Sequence, residues 1–552
     1  MIDRSEIIAR IKNQKYDLLV IGGGITGAGI ALDAISRGLS VALLEKGDFA
    51  SGTSSKSTMR IRGGLRYLKQ FDFAVVHEVG SERAVVHKLA PNLVKPEKML
   101  LPLVKGGTYG KLLTSFGLSL YDFLAGVKKE ECRKMLSKEE TLQVEPLLNE
   151  EKLLGSGLYY EYRTDDARLT IEIIKTAVSL GADCVNYIEV KDFDYRHDGS
   201  LHYVKCIDHE TKDEFNVEGE IIVNSAGPWV DKIRLKQQKK ETLNKRLHLT
   251  KGIHLVVDRD VFPLNQSVYF DEPVKGRMVF AIPRDKTTYI GTTDTNYEGS
   301  LDDVRVEKED EDYVLAAANA MFPSLKLNSS HVKSSWAGLR PLIHEEGKSP
   351  SELSRKDEIF ESEDGLISIA GGKLTGYRKM AERIVDKVLK KLIKNNLKEK
   401  FIKSKTKNLK LLSSDFDSEQ AMESFKQTLK EYLCSYFDDE FFIDHLFDNY
   451  GLNATKILDY FKHLKLEQDA IKNDSALVLA ELIYSIDYEM VKSTLDFCER
   501  RSSFLYFDIE KIRNLKELII REMTARLNWS DFRQEQERKL LNEAIDKSIS
   551  FA

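Results

Sequence analysis

Tyr16-Asp17-Leu18-Leu19-Val20-Ile21-Gly22-Gly23-Gly24-Ile25-Thr26-Gly27 is the stretch on which the fold turns. Tyr16 to Ile21 is a short apolar run that reads as a buried strand. A glycine-rich turn follows. Ile25 to Gly38 reads as a helix rich in Ala, Ile and Leu, closed by Gly38. Val41 to Leu44 is a second apolar strand and Glu45 ends it. Strand, turn, helix and strand within about 30 residues make a βαβ unit with a parallel strand pair. The spacing Gly22, Gly24, Gly27 then has a physical reading. Gly22 permits the tight turn, Gly24 lets a pyrophosphate approach the backbone, and Gly27 lets helix and strand pack closely. The helix N-terminus at Ile25 and Thr26 offers unpaired N–H groups and a positive dipole end to phosphates. Glu45 is placed to accept hydrogen bonds from a ribose diol. The fingerprint predicts a bound dinucleotide without choosing between FAD and NAD.

The residues after Glu45 extend that site. Lys46 is followed by Asp48-Phe49-Ala50-Ser51-Gly52-Thr53-Ser54-Ser55-Lys56-Ser57, dense in hydroxyls and small residues. Thr53, Ser54, Ser55 and Ser57 can wrap further phosphate and ribose oxygens. Further along, residues 5–13 read as a short amphipathic helix and 170–180 as another. Strand-like alternation runs from Asp183 to Val223, and 254–294 is again strand-rich. Tyr377 to Lys400 is helical and charged. A lysine-rich linker is expected at about 387–410, and the text beyond is helical to the end. A domain boundary is placed near 400.

Composition narrows the function class. The chain has 552 residues, 42% of them apolar, with net charge −5. That acidity argues against a nucleic-acid partner, since phosphate backbones select clustered positive charge. The five cysteines form no CxxC pair, so a disulfide scaffold and a metal site are not expected, and a reducing cytoplasm fits best. No secretory h-region follows Met1, and no run reaches the roughly 20 apolar residues of a spanning helix. Two segments leave room for peripheral membrane contact. One is the apolar 112–124 run, with Lys111, Lys128 and Lys129 flanking it, which otherwise reads as a core or cap helix. The other is the set of ten lysines between Lys387 and Lys410.

Gly52-Thr53-Ser54-Ser55, Gly63-Gly64-Leu65-Arg66-Tyr67-Leu68, Thr164-Asp165-Asp166-Ala167-Arg168-Leu169 and Asn224-Ser225-Ala226-Gly227-Pro228-Trp229 follow one another in order. Behind them come Lys251-Gly252-Ile253-His254, Ile290-Gly291-Thr292-Thr293-Asp294, Gly338-Leu339-Arg340-Pro341 and Gly371-Gly372-Lys373-Leu374-Thr375. In these motifs, and over essentially its whole length, the chain resembles the FAD-dependent glycerol-3-phosphate dehydrogenases of Bacillus-like bacteria. The resemblance implies an α/β fold of the D-amino-acid-oxidase kind: a Rossmann-like FAD domain, an antiparallel cap, and a C-terminal all-helical domain. The implied FAD segments are about 14–98, 155–232 and 336–395. The cap segments are about 99–154 and 233–335, and the helical domain is 401–552. It implies oxidation of sn-glycerol 3-phosphate to dihydroxyacetone phosphate, with electrons passing to a membrane quinone. It also implies that Gly63, Gly64, Ala226, Gly227, Gly372, Lys373, Leu374 and Thr375 join the βαβ residues in holding FAD. Arg66, Arg340 and Arg355 fall at substrate-pocket positions, where a guanidinium fork suits a phosphate. His254 and Tyr67 can hydrogen-bond a substrate oxygen. A homodimer is left open.

One run departs from the pattern. The family's Ser-Thr-Lys-Leu-(Ile/Val)-His-Gly-Gly is here Ser57-Thr58-Met59-Arg60-Ile61-Arg62-Gly63-Gly64. The family histidine is a natural general base, and Arg62 cannot be one because its guanidinium stays protonated. Either the rate suffers or His254 is the working base and Arg62 stabilises flavin charge. Three other readings stand beside the main one: an oxidase using O₂, the same fold with an amino-acid substrate, and a weakened flavoprotein with a binding role.

Overall fold

The computed structural model describes residues 3–62, 73–107, 132–237, 246–272, 276–344, 357–467 and 470–551. Two sheets carry the described chain. The first has eight strands, with Asp357–Glu361, Ile367–Gly371, Glu214–Asn224, Lys15–Ile21, Val41–Leu44 and Asp183–Val185 side by side in that order. Lys15–Ile21 lies between Glu214–Asn224 and Val41–Leu44 and is parallel to both. The strand order reverses there, and ligands of open parallel sheets bind outside the strand ends at such a switch point. Helix Ile25–Ser36 runs back over this sheet, burying Ile25, Ala28, Ile30, Ala31, Leu32 and Ala34, and Gly38 after it takes φ +81°. Helices Asp166–Ser179 and Tyr377–Lys394 join it in one core. Asp166–Ser179 begins four residues before the expected 170, because Asp165 accepts the Arg168 N–H and caps it.

The second sheet has ten strands, built around Lys95–Val104, Leu153–Arg163, Leu247–Asp258, Met278–Arg284, Thr287–Gly291 and Val332–Ile343. It is antiparallel apart from Ser267–Asp271, which runs parallel to Lys95–Val104. Leu153–Arg163 and Val332–Ile343 pair in this sheet, so segments 155–232 and 336–395 begin in the second sheet and return to the first.

The strand Leu247–Asp258 is buried almost throughout, with no polar alternation, because both its faces are covered. Odd positions Ile253, Leu255 and Val257 pack with helix Lys308–Met321 through Val314, Leu315 and Ala318. On the other face, Val256, Tyr289 and Trp336 share a core with the C-terminal helices Phe441–Tyr450, Ala454–Glu467, Asn473–Glu489 and Ile509–Leu527. The lysine-rich linker starts later than the sequence pattern suggests. Residues up to Lys394 are helical, because Val388, Leu389 and Leu392 bury a face against the first sheet. The 112–124 segment lies outside the described residues.

Candidate active site

Gly22, with φ +106°, turns the chain at the end of the first strand, and a Cβ there would stand 2.8 Å from the Ser225 carbonyl oxygen. At Gly27 a Cβ would stand 1.9 Å from the Gly22 oxygen, so helix and turn touch backbone to backbone. Gly24 differs. It is the N-cap of helix Ile25–Ser36 with no side-chain cap, and a Cβ there would meet only the Ser54 hydroxyl, at 3.3 Å. The Ile25 N–H donates to that hydroxyl at 3.0 Å. Helix Ile25–Ser36 therefore presents its positive end to an open space beside Gly24.

That space is part of a cavity of about 1350 Å³. It exceeds the roughly 300–1,000 Å³ of ordinary small-molecule pockets, as a dinucleotide plus a small substrate requires. Glu45 borders it. One carboxylate oxygen accepts the Gly23 N–H at 2.6 Å and the other accepts the Gly47 N–H at 2.8 Å. Burial pushes this carboxyl up, and the two N–H groups oppose that shift. Both contacts fix the carboxylate at the edge of the glycine turn.

The cavity is also lined by Lys46, Thr53, Ser54, Ser57, Ala226, Gly227, Gly372, Lys373, Leu374 and Thr375, and at its second-sheet wall by Arg62, His254 and Arg340. Gly27 and Ser55 stand behind the wall. Gly63, Gly64, Arg66, Tyr67 and Arg355 lie outside the described residues. The glycine pair before Lys373 also answers to local geometry. Gly371 and Gly372 take φ +78° and +81°, and the place of a Cβ at Gly372 is taken by the Met380 sulfur, 2.6 Å away. Backbone turn and packing require glycine there.

Register explains the second-sheet wall. Thr250 pairs with Arg340, Gly252 with Gly338 and His254 with Trp336, which puts these alternate residues on one face. A Cβ at Gly252 would stand 2.2 Å from Arg340 Nη2, one at Gly291 2.4 Å from the His254 ring, and one at Gly338 2.1 Å from the Lys56 carbonyl. Each motif glycine thus makes room for a site residue or for the loop that carries Ser57. The Arg340 guanidinium donates to Thr292 Oγ1 at 2.8 Å and to the Thr293 carbonyl at 3.0 Å, and meets Asp294 at 3.2 Å.

His254 is buried and stacked on Trp336 at 4.7 Å between ring centroids. Its Nε2 meets Thr58 Oγ1 at 3.1 Å, while its buried Nδ1 has no hydrogen-bond partner among the described residues. Burial, with Arg340 and Arg62 adding to it, holds the imidazole well below its ordinary pKa, so the ring is neutral. Arg62 lies over the Phe280 ring at 4.8 Å, and its backbone exchanges hydrogen bonds with the Thr375 hydroxyl.

Thr58, Trp336 and Phe280 are site residues that the sequence reading missed. Thr58 sits inside the quoted Ser57–Arg62 run, but Trp336 and Phe280 come to the site only through strand register. The other departures in that run are matched by this chain's own residues. Arg60, buried, pairs with Glu97 at 2.7 Å, and Arg284 donates to the Met59 sulfur. Asp166 of the Thr164–Leu169 motif accepts the Ser57 hydroxyl, and burial lifts its carboxyl to about 8.

The residues present fit FAD. A helix N-terminus facing open space, a fixed carboxylate, a hydroxyl-rich loop and a roomy cavity meet at the switch point.

Comparison with known proteins agrees with this geometry. A family model described as FAD dependent oxidoreductase matches residues 17–377, and one described as C-terminal domain of alpha-glycerophosphate oxidase matches 404–534. The aerobic glycerol-3-phosphate dehydrogenase of Bacillus subtilis (strain 168) is 49% identical over 553 residues, covering 99% of this chain and 98% of that protein. Its counterpart from Staphylococcus aureus (strain USA300) is 46% identical over 99% of this chain and 97% of its own length. The crystal structure of the glycerol-3-phosphate dehydrogenase from Bacillus halodurans, complexed with FAD, is 41% identical. It superposes with a TM-score of 0.84 over 99% of this chain and 98% of that one.

Two glycines separate folding from cofactor binding. Gly27→Ala forces the helix off the turn and is expected to cost about 1–3 kcal/mol, read by thermal unfolding. Gly24→Val meets only the end of the Ser54 side chain and is expected to purify folded with its flavin absorbance largely gone. Full flavin content in Gly24→Val would place the pyrophosphate elsewhere.

Proposed function

We propose, on the premise that this chain belongs to the FAD-dependent oxidoreductases and among them to the aerobic glycerol-3-phosphate dehydrogenases, that it oxidises sn-glycerol 3-phosphate to dihydroxyacetone phosphate and passes the electrons to a membrane quinone. The observation that carries the substrate reading is the second-sheet wall, where Arg62, Arg340 and a neutral His254 share the cavity with the nucleotide turn. Two guanidiniums match a phosphate dianion in charge and, for a bidentate pair, in shape.

Bound FAD supplies the two-electron acceptor for the hydride leaving C2 of the substrate. The chain's residues supply the rest. His254, on the cavity wall, is the acceptor for the C2 hydroxyl proton. Its low basicity follows partly from the positive charges of Arg340 and Arg62. A substrate phosphate between those arginines cancels them and raises the basicity of the imidazole only when substrate is bound. Thr58 at Nε2 and Trp336 against the ring fix its orientation. The second sheet and the loop carrying Ser57 exclude water from the reacting carbon. On this reading Arg62 is not a missing base but an electrostatic partner of substrate and reduced cofactor.

The quinone requires approach to a membrane, and no described helix is long and apolar enough to cross one. Peripheral contact is supported by the segment after helix Tyr377–Lys394. Leu397, Phe401 and Ile402 are exposed there among the exposed Lys394, Lys400, Lys403, Lys405 and Lys407. Apolar side chains set among lysines suit an anionic lipid surface. Part of the lysine run serves the fold instead: Lys387 and Lys391 pair with Glu361, and Lys398 pairs with Asp17.

Anaerobic addition of glycerol 3-phosphate to the purified protein is expected to bleach the oxidised flavin band and yield one dihydroxyacetone phosphate per flavin. An unbleached spectrum would remove the substrate assignment. In stopped-flow flavin reduction, His254→Gln is expected to slow the step by about 10²–10⁴-fold, the usual worth of a positioned base, and Arg62→His to leave it within severalfold. Severalfold or greater acceleration in Arg62→His, with a new titration near 6.5, would make position 62 the site of the base.

Co-sedimentation with anionic vesicles is expected to weaken as salt rises, and to fall again when Lys400, Lys403, Lys405 and Lys407 become glutamine. At about 1 kcal/mol per lysine, that replacement removes up to about 4 kcal/mol. Binding indifferent to both salt and charge would assign the contact to apolar residues alone.

A further inference from the structure

Among the described residues, those lining the cavity end in sequence at Met380, so the helices beyond residue 400 contribute none of its surface. Yet they grip its walls from behind. The contacts converge on Asp496–Arg501, a single π-helical turn buried at every residue. Such turns recur at functional sites, because the extra residue per turn re-aims side chains.

Arg500 and Arg501 of this turn reach a carboxylate in the nucleotide loop. Asp48 accepts Arg500 Nε at 2.7 Å, Arg501 Nη1 at 2.6 Å and Nη2 at 3.0 Å, and Asn186 Nδ2 at 3.0 Å. Asp48 is buried and does not line the cavity, so it has no direct part in holding a ligand. Burial alone would raise its pKa, and the two guanidiniums reverse that and keep it ionised. It stands three residues after Glu45, in a loop whose Ala50 N–H returns to the Gly23 carbonyl at 3.1 Å. The position of Asp48 is therefore passed directly to the glycine turn and to the ribose-side carboxylate.

Two further contacts repeat the pattern. Tyr187, which lines the cavity and donates its N–H to the Gly47 carbonyl at 2.8 Å, donates its hydroxyl to Asp496 at 2.7 Å. Lys56, also on the wall, pairs with Glu499 at 3.5 Å. A buried charge that loses its partner is strongly destabilising, so this junction holds its geometry only while both sides are in place.

We infer that the C-terminal helices are a clamp on the FAD site: Arg500 and Arg501, acting through Asp48, hold the Gly47–Ser57 loop on the cavity wall, so that cofactor retention and order in the C-terminal turn depend on each other. The inference rests on FAD occupying the cavity, which the flavin spectrum of the purified protein reports separately. Asp48, Arg500 and Arg501 are positioning residues, since each acts through the loop. Reciprocity follows from linkage: if the turn tightens FAD binding, FAD orders the turn by the same factor.

Hydrogen–deuterium exchange on the full-length protein, with FAD and stripped of it, tests this. FAD is expected to slow amide exchange in 493–503 by about tenfold, within the usual range for coupled sites, although that segment does not touch the cavity. Protection confined to the cavity-lining segments would overturn the clamp even with flavin fully bound. FAD release from the holoprotein, followed by recovery of flavin fluorescence, is expected to be about tenfold faster in Arg501→Gln and intermediate in Arg501→Lys, which keeps charge but loses the fork. Release at the parent's rate in Arg501→Gln would also overturn it. Should Arg501→Gln fail to fold, the exchange map of the parent decides alone.

Discussion

The carbonyl of Gly22 and the α-carbon of Gly27 occupy a space where a methyl group would sit 1.9 Å from an oxygen atom. Everything at the nucleotide end depends on that closeness. It seats helix Ile25–Ser36 directly on the end of the central strand, which aims the helix dipole into the switch point. It leaves Gly24 at the open edge. It also brings the strand carrying Glu45 near enough for that carboxylate to take the Gly23 N–H. A larger residue at 27 would move all three together, because the contact is backbone against backbone and nothing soft lies between.

The second sheet imposes an equally rigid rule through its pleat. In the middle of Leu247–Asp258 the odd residues Ile253, Leu255 and Val257 go to the helix Lys308–Met321, while Gly252 and His254 go to the cavity and Val256 to the C-terminal core. Lys251 shows what the rule demands of a charge on the far face. It is buried and pairs with Glu307 at 2.6 Å and Asp310 at 2.7 Å. His254, three residues on, is buried on the opposite face and kept neutral by its surroundings. One strand thus holds a paired cation and an uncharged imidazole within about 10 Å of chain, separated by nothing but the alternation of the pleat.

How far the sequence could be read follows from how local each signal is. The βαβ unit was legible because its strands, turn glycines and Glu45 are neighbours in the chain, and the observed strand Val41–Leu44 has the bounds the apolar run suggests. The motif residues Lys251–His254 and Gly338–Pro341 could be located, but not the reason for their glycines, which lies in contacts across strands. Trp336 and Phe280 had no local mark at all. Register alone brings them to the site: Phe280 stands opposite Gly291 and Trp336 opposite His254, and register between strands some eighty residues apart, as for Trp336, is invisible in a single sequence. The lysine-rich stretch misled for the opposite reason. Its charges are conspicuous, while the Val388, Leu389 and Leu392 stripe that keeps it helical to Lys394 is spaced between them.

The ion pairs that join Asp48 to Arg500 and Arg501 have a consequence for inheritance. The two family models divide the chain at about residue 400, as though its halves were interchangeable parts. The charges say otherwise. From Asp48 the pairing runs through Arg501 to Glu489 and on to Arg168, crossing the division more than once with every member buried. A chimaera whose incoming half lacked the matching residues would bring acids without their bases, and each orphan would be stranded away from water. In this chain Asp48, Arg168, Glu489 and the Asp496–Arg501 turn form one set, although more than four hundred positions separate Asp48 from the turn.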